Sequence, residues 1–350
     1  MSHADFDMLS NQALAFCGVF YFIAVVAHLA EWAVGRNVPL DVLNGVKADA
    51  QAAGRRTAAA AVGGEAGDVL VETDEDSDAA ASAAKMARYA RIGLISTVVA
   101  AGIHFVAVAS RGLAADPIRV PWGNMYEFTM TATLFVTIGY LAMYRRYGLS
   151  WLSPVVTSFV LITLMADALL LYDPVVKLRD ALQSPWLIIH VVAAITATGA
   201  FTIGGMASIL YLVKERWLAK HADDEGTLNA GYLARLPSLL QLDRMAYRVH
   251  AFAFPIWTFA ALIAGPIWAQ AAWGRYWGWD PKEVWAFITW VVYAAYLHAR
   301  ATAGWKGRNA AIIALLGLAT LWFNFIGINF FFGSGSQHSY AEVAPFLLSR

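Results

Sequence analysis

The sequence predicts an all-α integral membrane protein with about eight transmembrane helices and both termini on the outer, periplasmic side. Of 350 residues, 59% are hydrophobic and only 14% charged, with a mean hydropathy of +0.53. A water-facing domain is about 25% charged, so this chain cannot cover an aqueous surface of ordinary size. The apolar residues gather in runs close to the roughly 20 that a helix needs to cross about 30 Å of hydrocarbon. Barrel strands would alternate polar and apolar residues. These runs do not, so their backbone groups must be satisfied within helices.

The runs lie at approximately 12–34, 91–111, 125–144, 151–172, 186–213, 250–270, 284–302 and 310–332. Asp5 and Asp7, rather than Lys or Arg, precede the first. It therefore lacks the basic start of a cleavable signal and is expected to be a retained helix within 1–35. Residues 36–88 are rich in Ala and Gly and include the acidic run Glu72 to Asp78. With few large apolar side chains, that segment is expected to be a mostly disordered cytoplasmic linker. The membrane domain then spans 89–340, followed by an outer tail, 341–350. Within 214–249, Leu228, Tyr232, Leu236, Leu239 and Leu240 recur at helix-like spacing and predict a short helix on the membrane face.

Orientation follows from the cations, because Lys and Arg near helix ends stay cytoplasmic. One set of connections, from Arg36 through Arg145, Arg146, Lys214 and Arg248 to Arg308, holds eighteen of the 25 Lys and Arg. The other, including Arg111, Arg119, Lys177, Arg179, Arg275 and Lys282, holds seven. The 25 acids bring the net charge to zero, which argues against a basic nucleic-acid-binding face. A single Cys17 excludes an internal disulfide, a CxxC redox pair, a zinc-thiolate cluster and a haem-attachment motif in this chain.

The densest local signal is Trp273-Gly274-Arg275-Tyr276-Trp277-Gly278-Trp279-Asp280-Pro281-Lys282-Glu283; seven of the 14 Trp fall between Trp257 and Trp290. One reading is an aromatic belt at the interface. The other uses Gly274 and Gly278, which let the backbone bend so that indole faces turn toward one flat apolar ligand. The end of the string is also a helix start: Asp280 as N-cap, Pro281 at N1 and Glu283 completing a capping box. Pro121 to Glu127 has a similar structural reading, with Asn124 as N-cap and Glu127 as its capping-box partner.

Eight His occur, and a His inside a membrane helix is costly enough to suggest function. His190, one turn inside the fifth run, and His338, just beyond the eighth, lie on the side of the Trp string. Two neutral imidazoles approaching from opposite directions would clamp a haem against the indoles; two ordinary interface histidines are the alternative. His298 lies fifteen residues after Glu283, roughly 22 Å along a helix at 1.5 Å per residue. It belongs to a separate inner site or snorkels to the interface near Arg300. Packing or interface roles are expected for His28, His104 and His250.

With these strings in view, the chain resembles the CcsA-type cytochrome c assembly proteins, also called CcsB or ResC, of the haem-handling superfamily. The resemblance rests on WGxxWxWDPKE at Trp273–Glu283, WxxIH at Trp186–His190, His298 in the following helix, and HSY at His338–Tyr340. The Pro121–Glu127 string is also similar, and the whole covers roughly 90–340. The resemblance implies that His190 and His338 ligate haem iron and that Trp273, Gly274, Trp277, Trp279 and Asp280 hold the porphyrin. It assigns His298 to an inner haem site. It further implies haem b as bound substrate, an apocytochrome c with a CxxCH motif as recipient, and a separate ResB-like partner, since no ResB-like half is present here.

The expected function is haem export and presentation for covalent attachment, as a synthase subunit in the cell membrane. Arg275, Lys282, Lys177 and Arg179 are candidate partners of the haem propionates. No residue of the chain is assigned a catalytic role, because the thiols come from the apocytochrome and the chain supplies positioning. The alternatives are a b-type haem electron-transfer subunit and a transporter of another amphipathic anion. The former usually places two His about a dozen residues apart on one helix, and no run here does.

Overall fold

The computed structural model describes residues 1–36, 38, 40, 74–175, 184–222 and 231–332. Among them there is no strand, and the expected runs become helices. These are α1 (His3–Gly35), α2 (Asp74–Leu113), α3 (Met125–Tyr147), α4 (Ser153–Leu170, entered through a 3-10 turn at Leu149–Leu152), α5 (Pro185–Lys220), α6 (Leu239–Trp273), α7 (Pro281–Thr302) and α8 (Arg308–Phe331). By length and composition α1, α2, α4, α5, α6 and α8 can each cross a membrane. The chain is a multi-pass membrane protein. α3 and α7 are more polar, and α3 buries Thr129, Thr131, Thr133 and Thr137. Three of these hydroxyls donate to backbone carbonyls, Thr133 to Thr129 at 2.8 Å, Thr137 to Thr133 at 2.9 Å and Thr131 to Pro121 at 2.8 Å, which leaves the Thr129 hydroxyl as the one without a partner among the described residues.

Large apolar side chains point outward, among them Phe16, Phe22, Ile95, Ile162 and Leu169, while Tyr21, Tyr126, Tyr140, Tyr293 and Arg111 are buried. That inversion suits a lipid solvent. α1 lies along α2 and against α4, and α3 packs on α4; α5 is shared, touching α3, α6 and α8, with α7 against α8. One apolar cluster therefore fills α1–α4 and a second fills α5–α8. A third, Leu187, Val191, Ile195 and Trp268, lies where α3, α5 and α6 meet.

Two expectations are revised. α2 starts at Asp74, inside the segment read as linker. An acidic sequence followed by an Ala-rich one favours a helix start, because negative charge complements the helix dipole and Ala has high helix propensity. Residues 41–73 lie outside the described residues. The surface helix expected in 214–249 is a single turn, Tyr232–Arg235. Leu239 and Leu240 instead open α6, behind a capping box of Ser238 and Gln241. The turn is fastened over the end of the bundle: Tyr232 stacks on Trp32 at 3.6 Å, and the Lys214 ammonium donates to the Leu236 carbonyl at 2.7 Å.

Candidate functional site

The Trp string forms the loop between α6 and α7, and its turns follow from local chemistry. Gly274 ends α6 in the left-handed region, φ 72°, donating its N–H to the Gln270 carbonyl at 3.0 Å. Asp280 caps α7 by accepting from the Lys282 N–H at 3.0 Å. The Glu283 carboxylate reaches back to the N–H groups of Asp280, 3.1 Å, and Gly278, 2.8 Å. These bonds pin Trp279 at φ 56°, a conformation costing a non-glycine residue roughly 1–2 kcal/mol that the cap must offset. Gly278 lets the Arg275 guanidinium lie against the backbone where a Cβ would stand.

The loop closes one end of a cavity walled by α3, α5, α6 and α8, with Phe159 and Thr163 of α4 and Lys282, Glu283 and Ala286 of α7. His190, Trp277, Trp257 and Trp268 line it, together with Trp122, Phe128 and Tyr276. The predicted site residues divide on this geometry. His190 and Trp277 face the same cavity. Trp273 stands behind it, edge-on to Trp268 at 4.8 Å, and Trp268 lies nearly parallel to the His190 ring at 5.8 Å. Gly274 and Asp280 shape the loop, and Trp279 is 69% exposed on its outer side.

α6 supplies the feature that orients His190. Its helix widens to a π-turn at Ala260–Ala264, and the Ala260 carbonyl accepts from His190 Nδ1 at 2.9 Å. That bond assigns the proton to Nδ1 and makes Nε2 the basic nitrogen of the ring, which is how proteins fix an imidazole for a metal. Gly265 completes the seat: a Cβ there would stand 3.2 Å from the ring and 3.1 Å from the Ala260 carbonyl.

The other histidines separate clearly. His104 is fully buried, with Nε2 at 2.9 Å from the Met130 carbonyl and Nδ1 at 3.3 Å from the Tyr21 hydroxyl. His28 lies 3.3 Å from Glu31. His250 is buried against Phe201, Tyr293 and Tyr296, with Nδ1 on the Ala246 carbonyl at 2.6 Å. All three have the packed surroundings expected of them. His298 is exposed on α7, toward the end opposite the Trp loop, and does not line the cavity. His338 lies outside the described residues.

Glu127 differs from its expected capping-box role. Asn124 does cap α3, accepting from the Glu127 N–H at 2.8 Å. The Glu127 carboxylate is instead fully buried, paired with Arg119 at 2.5 Å and Arg111 at 3.4 Å, and accepts the Gly123 N–H at 2.8 Å. Arg111 also pairs with Asp7 at 2.7 Å, tying α1, α2 and α3 together.

Sequence reasoning passed over Trp268, Asn324 and Asn329 as site residues. The two asparagines sit on α8, at and just after a second π-turn, Phe323–Gly327, and line the same cavity. Polar residues in the last apolar run were the available signal.

Residues 122–334, which include every wall of the cavity, match the family described as Cytochrome C assembly protein. A cytochrome c biogenesis protein CcsA of Trieres chinensis is 35% identical over 282 residues, covering 71% of this chain and 86% of its own length. That of Guillardia theta is 36% identical over 269 residues, with 71% and 85% covered. The Gloeobacter violaceus protein of the same name is 34% identical over 270 residues, with 63% and 78% covered. The chain belongs to the cytochrome c assembly family and is of the CcsA type.

Proposed function

We propose that this chain, whose role in cytochrome c maturation follows from its family, binds haem in the cavity beneath the Trp loop and presents it for attachment to an apocytochrome. The observation that carries this is His190, fixed by the Ala260 carbonyl on the wall of a cavity it shares with Trp277. The walls suit a flat apolar molecule with a polar edge: aromatic and aliphatic side chains dominate, and buried polar atoms of Asn124, Trp277 and Asn329 have no partner among the described residues.

His190 and His338 supply the two axial positions in this reading. His338 is seven residues beyond the end of α8, a helix that already lines the cavity, and seven extended residues reach roughly 23 Å. Trp277 covers the ring, Trp273 buttresses His190 through Trp268, Gly274 and Asp280 hold the loop in shape, and Trp279 meets whatever docks from outside. Bound haem supplies two vinyl groups. A cysteine thiol of the CxxCH motif adds across each, sulfur to one carbon and hydrogen to the other, with no leaving group. The chain orients those groups and shields the iron, and it supplies no nucleophile. A ResB-like membrane partner completes the machinery, in the plasma membrane with the Trp loop on the outer side.

The test is purification with that partner, a visible absorption spectrum, and an assay of covalent attachment to an apocytochrome. Low-spin bis-imidazole bands with thioether product are expected; a haem-free preparation that still supports attachment refutes the reading. His298 is assigned to an inner site facing the partner, consistent with its exposure on α7. The His298→Ala variant is expected to lower haem occupancy while leaving the spectrum of the remaining haem unchanged. Altered axial ligation in that remainder would refute a separate inner site.

A further inference from the structure

The cavity carries more polar chemistry than axial ligation and stacking use. Among the described residues, eleven buried side-chain nitrogen or oxygen atoms have no hydrogen-bond partner, and five of them belong to residues lining this cavity. They are Asn124 Nδ2, Thr129 Oγ1, Trp277 Nε1, Asn324 Oδ1 and Asn329 Oδ1. Unmade hydrogen bonds of buried groups are expensive, so such a concentration points to a ligand that makes them.

The hydrogen-bonding role of the unpaired atom is determined at three of the five positions. Asn124 uses its Oδ1 to cap α3, which leaves the Nδ2 donor as its other polar atom. Asn329 donates its Nδ2 to the Phe325 carbonyl at 2.6 Å, leaving the Oδ1 acceptor. Trp277 Nε1 can only donate. The ligand must therefore offer both an acceptor and a donor. A protonated carboxyl group, the form that burial favours, does so: its carbonyl oxygen accepts from Asn124 and Trp277, and its hydroxyl donates to Asn329. The Asn324 Oδ1 acceptor and the Thr129 hydroxyl, which can donate or accept, match the hydroxyl and the carbonyl oxygen of a second such group. Vinyl and methyl substituents satisfy none of these atoms.

We propose that these five side chains form a subsite that reads the carboxyl groups of the bound porphyrin and so fixes which edge of the ring faces them. This rests on the reading that haem occupies the cavity. One consequence is orientation: a ring turned away from the subsite leaves all five atoms unpaired, so the vinyl edge is held in one place for the incoming thiols. Trp277 then acts twice, by its ring face and by its N–H.

The experiment compares ferric haem with its dimethyl ester, whose carboxyl groups are capped, by absorption titration of the protein purified with its membrane partner. The ester is expected to bind at least about tenfold more weakly, since a site built around a hydrogen bond rejects an analogue lacking it. In the variant carrying Trp277→Phe and Asn329→Leu, which keeps an aromatic ring and an apolar side chain of similar size, the haem-to-ester ratio is expected to fall to about twofold. A purely steric penalty from the ester methyls would persist in that variant. Equal binding of haem and ester by the parental protein overturns the subsite and leaves the haem reading standing. An unchanged ratio in the variant overturns the assignment to these side chains. Failure of both ligands to bind the parental protein overturns the haem reading itself.

Discussion

A His190→Ala variant, purified with its partner, is expected to retain at least roughly tenfold less haem than the parental protein, with imidazole in the medium restoring part of the loss. Removing even a supporting hydrogen bond of a metal ligand commonly costs 10–100-fold in affinity, and here the ligand itself is removed. Imidazole can occupy the vacated position because the variant leaves space beside Gly265 and the Ala260 carbonyl, where the ring was seated. The His338→Ala variant should behave alike if it supplies the opposite bond. The measurement is haem per protein from the visible spectrum. Undiminished haem in the double variant would remove axial ligation by this pair. A loss that imidazole leaves wholly unrepaired would point to a structural role for His190.

The sequence made the helices legible because lipid leaves one solution for long apolar segments, and every run expected between residues 12 and 332 became a helix. It made the capped start of α7 legible too, since Asp280, Pro281 and Glu283 act on their chain neighbours. What it could not show is the direction of each Trp. Trp273, Trp277 and Trp279 alternate with glycines, so no helical or strand period relates them. Only the left-handed backbone at Gly274 and Trp279 sends Trp277 into the cavity and Trp279 out. The far wall was hidden for a different reason. Asn324 and Asn329 come from α8, some fifty residues from the loop they face, and it is the packing of α8 on α5 that brings them to the cavity. The π-turns of α6 and α8 that place Ala260 and Asn324 leave no mark in the apolar pattern, because one residue added to a turn changes no residue type.

The Glu127→Ala variant is expected to be the most damaging to stability, by roughly 3–5 kcal/mol, because it takes the carboxylate from the buried Arg119 guanidinium and leaves Arg111 with the part-exposed Asp7 as its remaining acid. Glu127 and Arg111 are fully buried, and Arg119 is only 10% exposed. The same carboxylate also holds the Gly123 N–H. Glu127→Gln keeps the size and an acceptor oxygen but removes the charge, so its loss should be intermediate. Asp7 is the internal comparison. It pairs with the same Arg111 but is 32% exposed, and its removal should cost about 1 kcal/mol or less, as for other exposed pairs. Thermal unfolding in detergent would rank the three variants. Equal destabilisation by Glu127→Ala and Asp7→Ala would show that burial contributes nothing to this network. The effect should also extend to the cavity. The turn of α3 that Glu127 anchors carries Asn124, Met125, Phe128 and Thr129 into the wall. Haem retention should therefore fall in the same order as stability, while the spectrum of the haem still bound keeps its axial ligation, since His190 is held from α6 and not from α3.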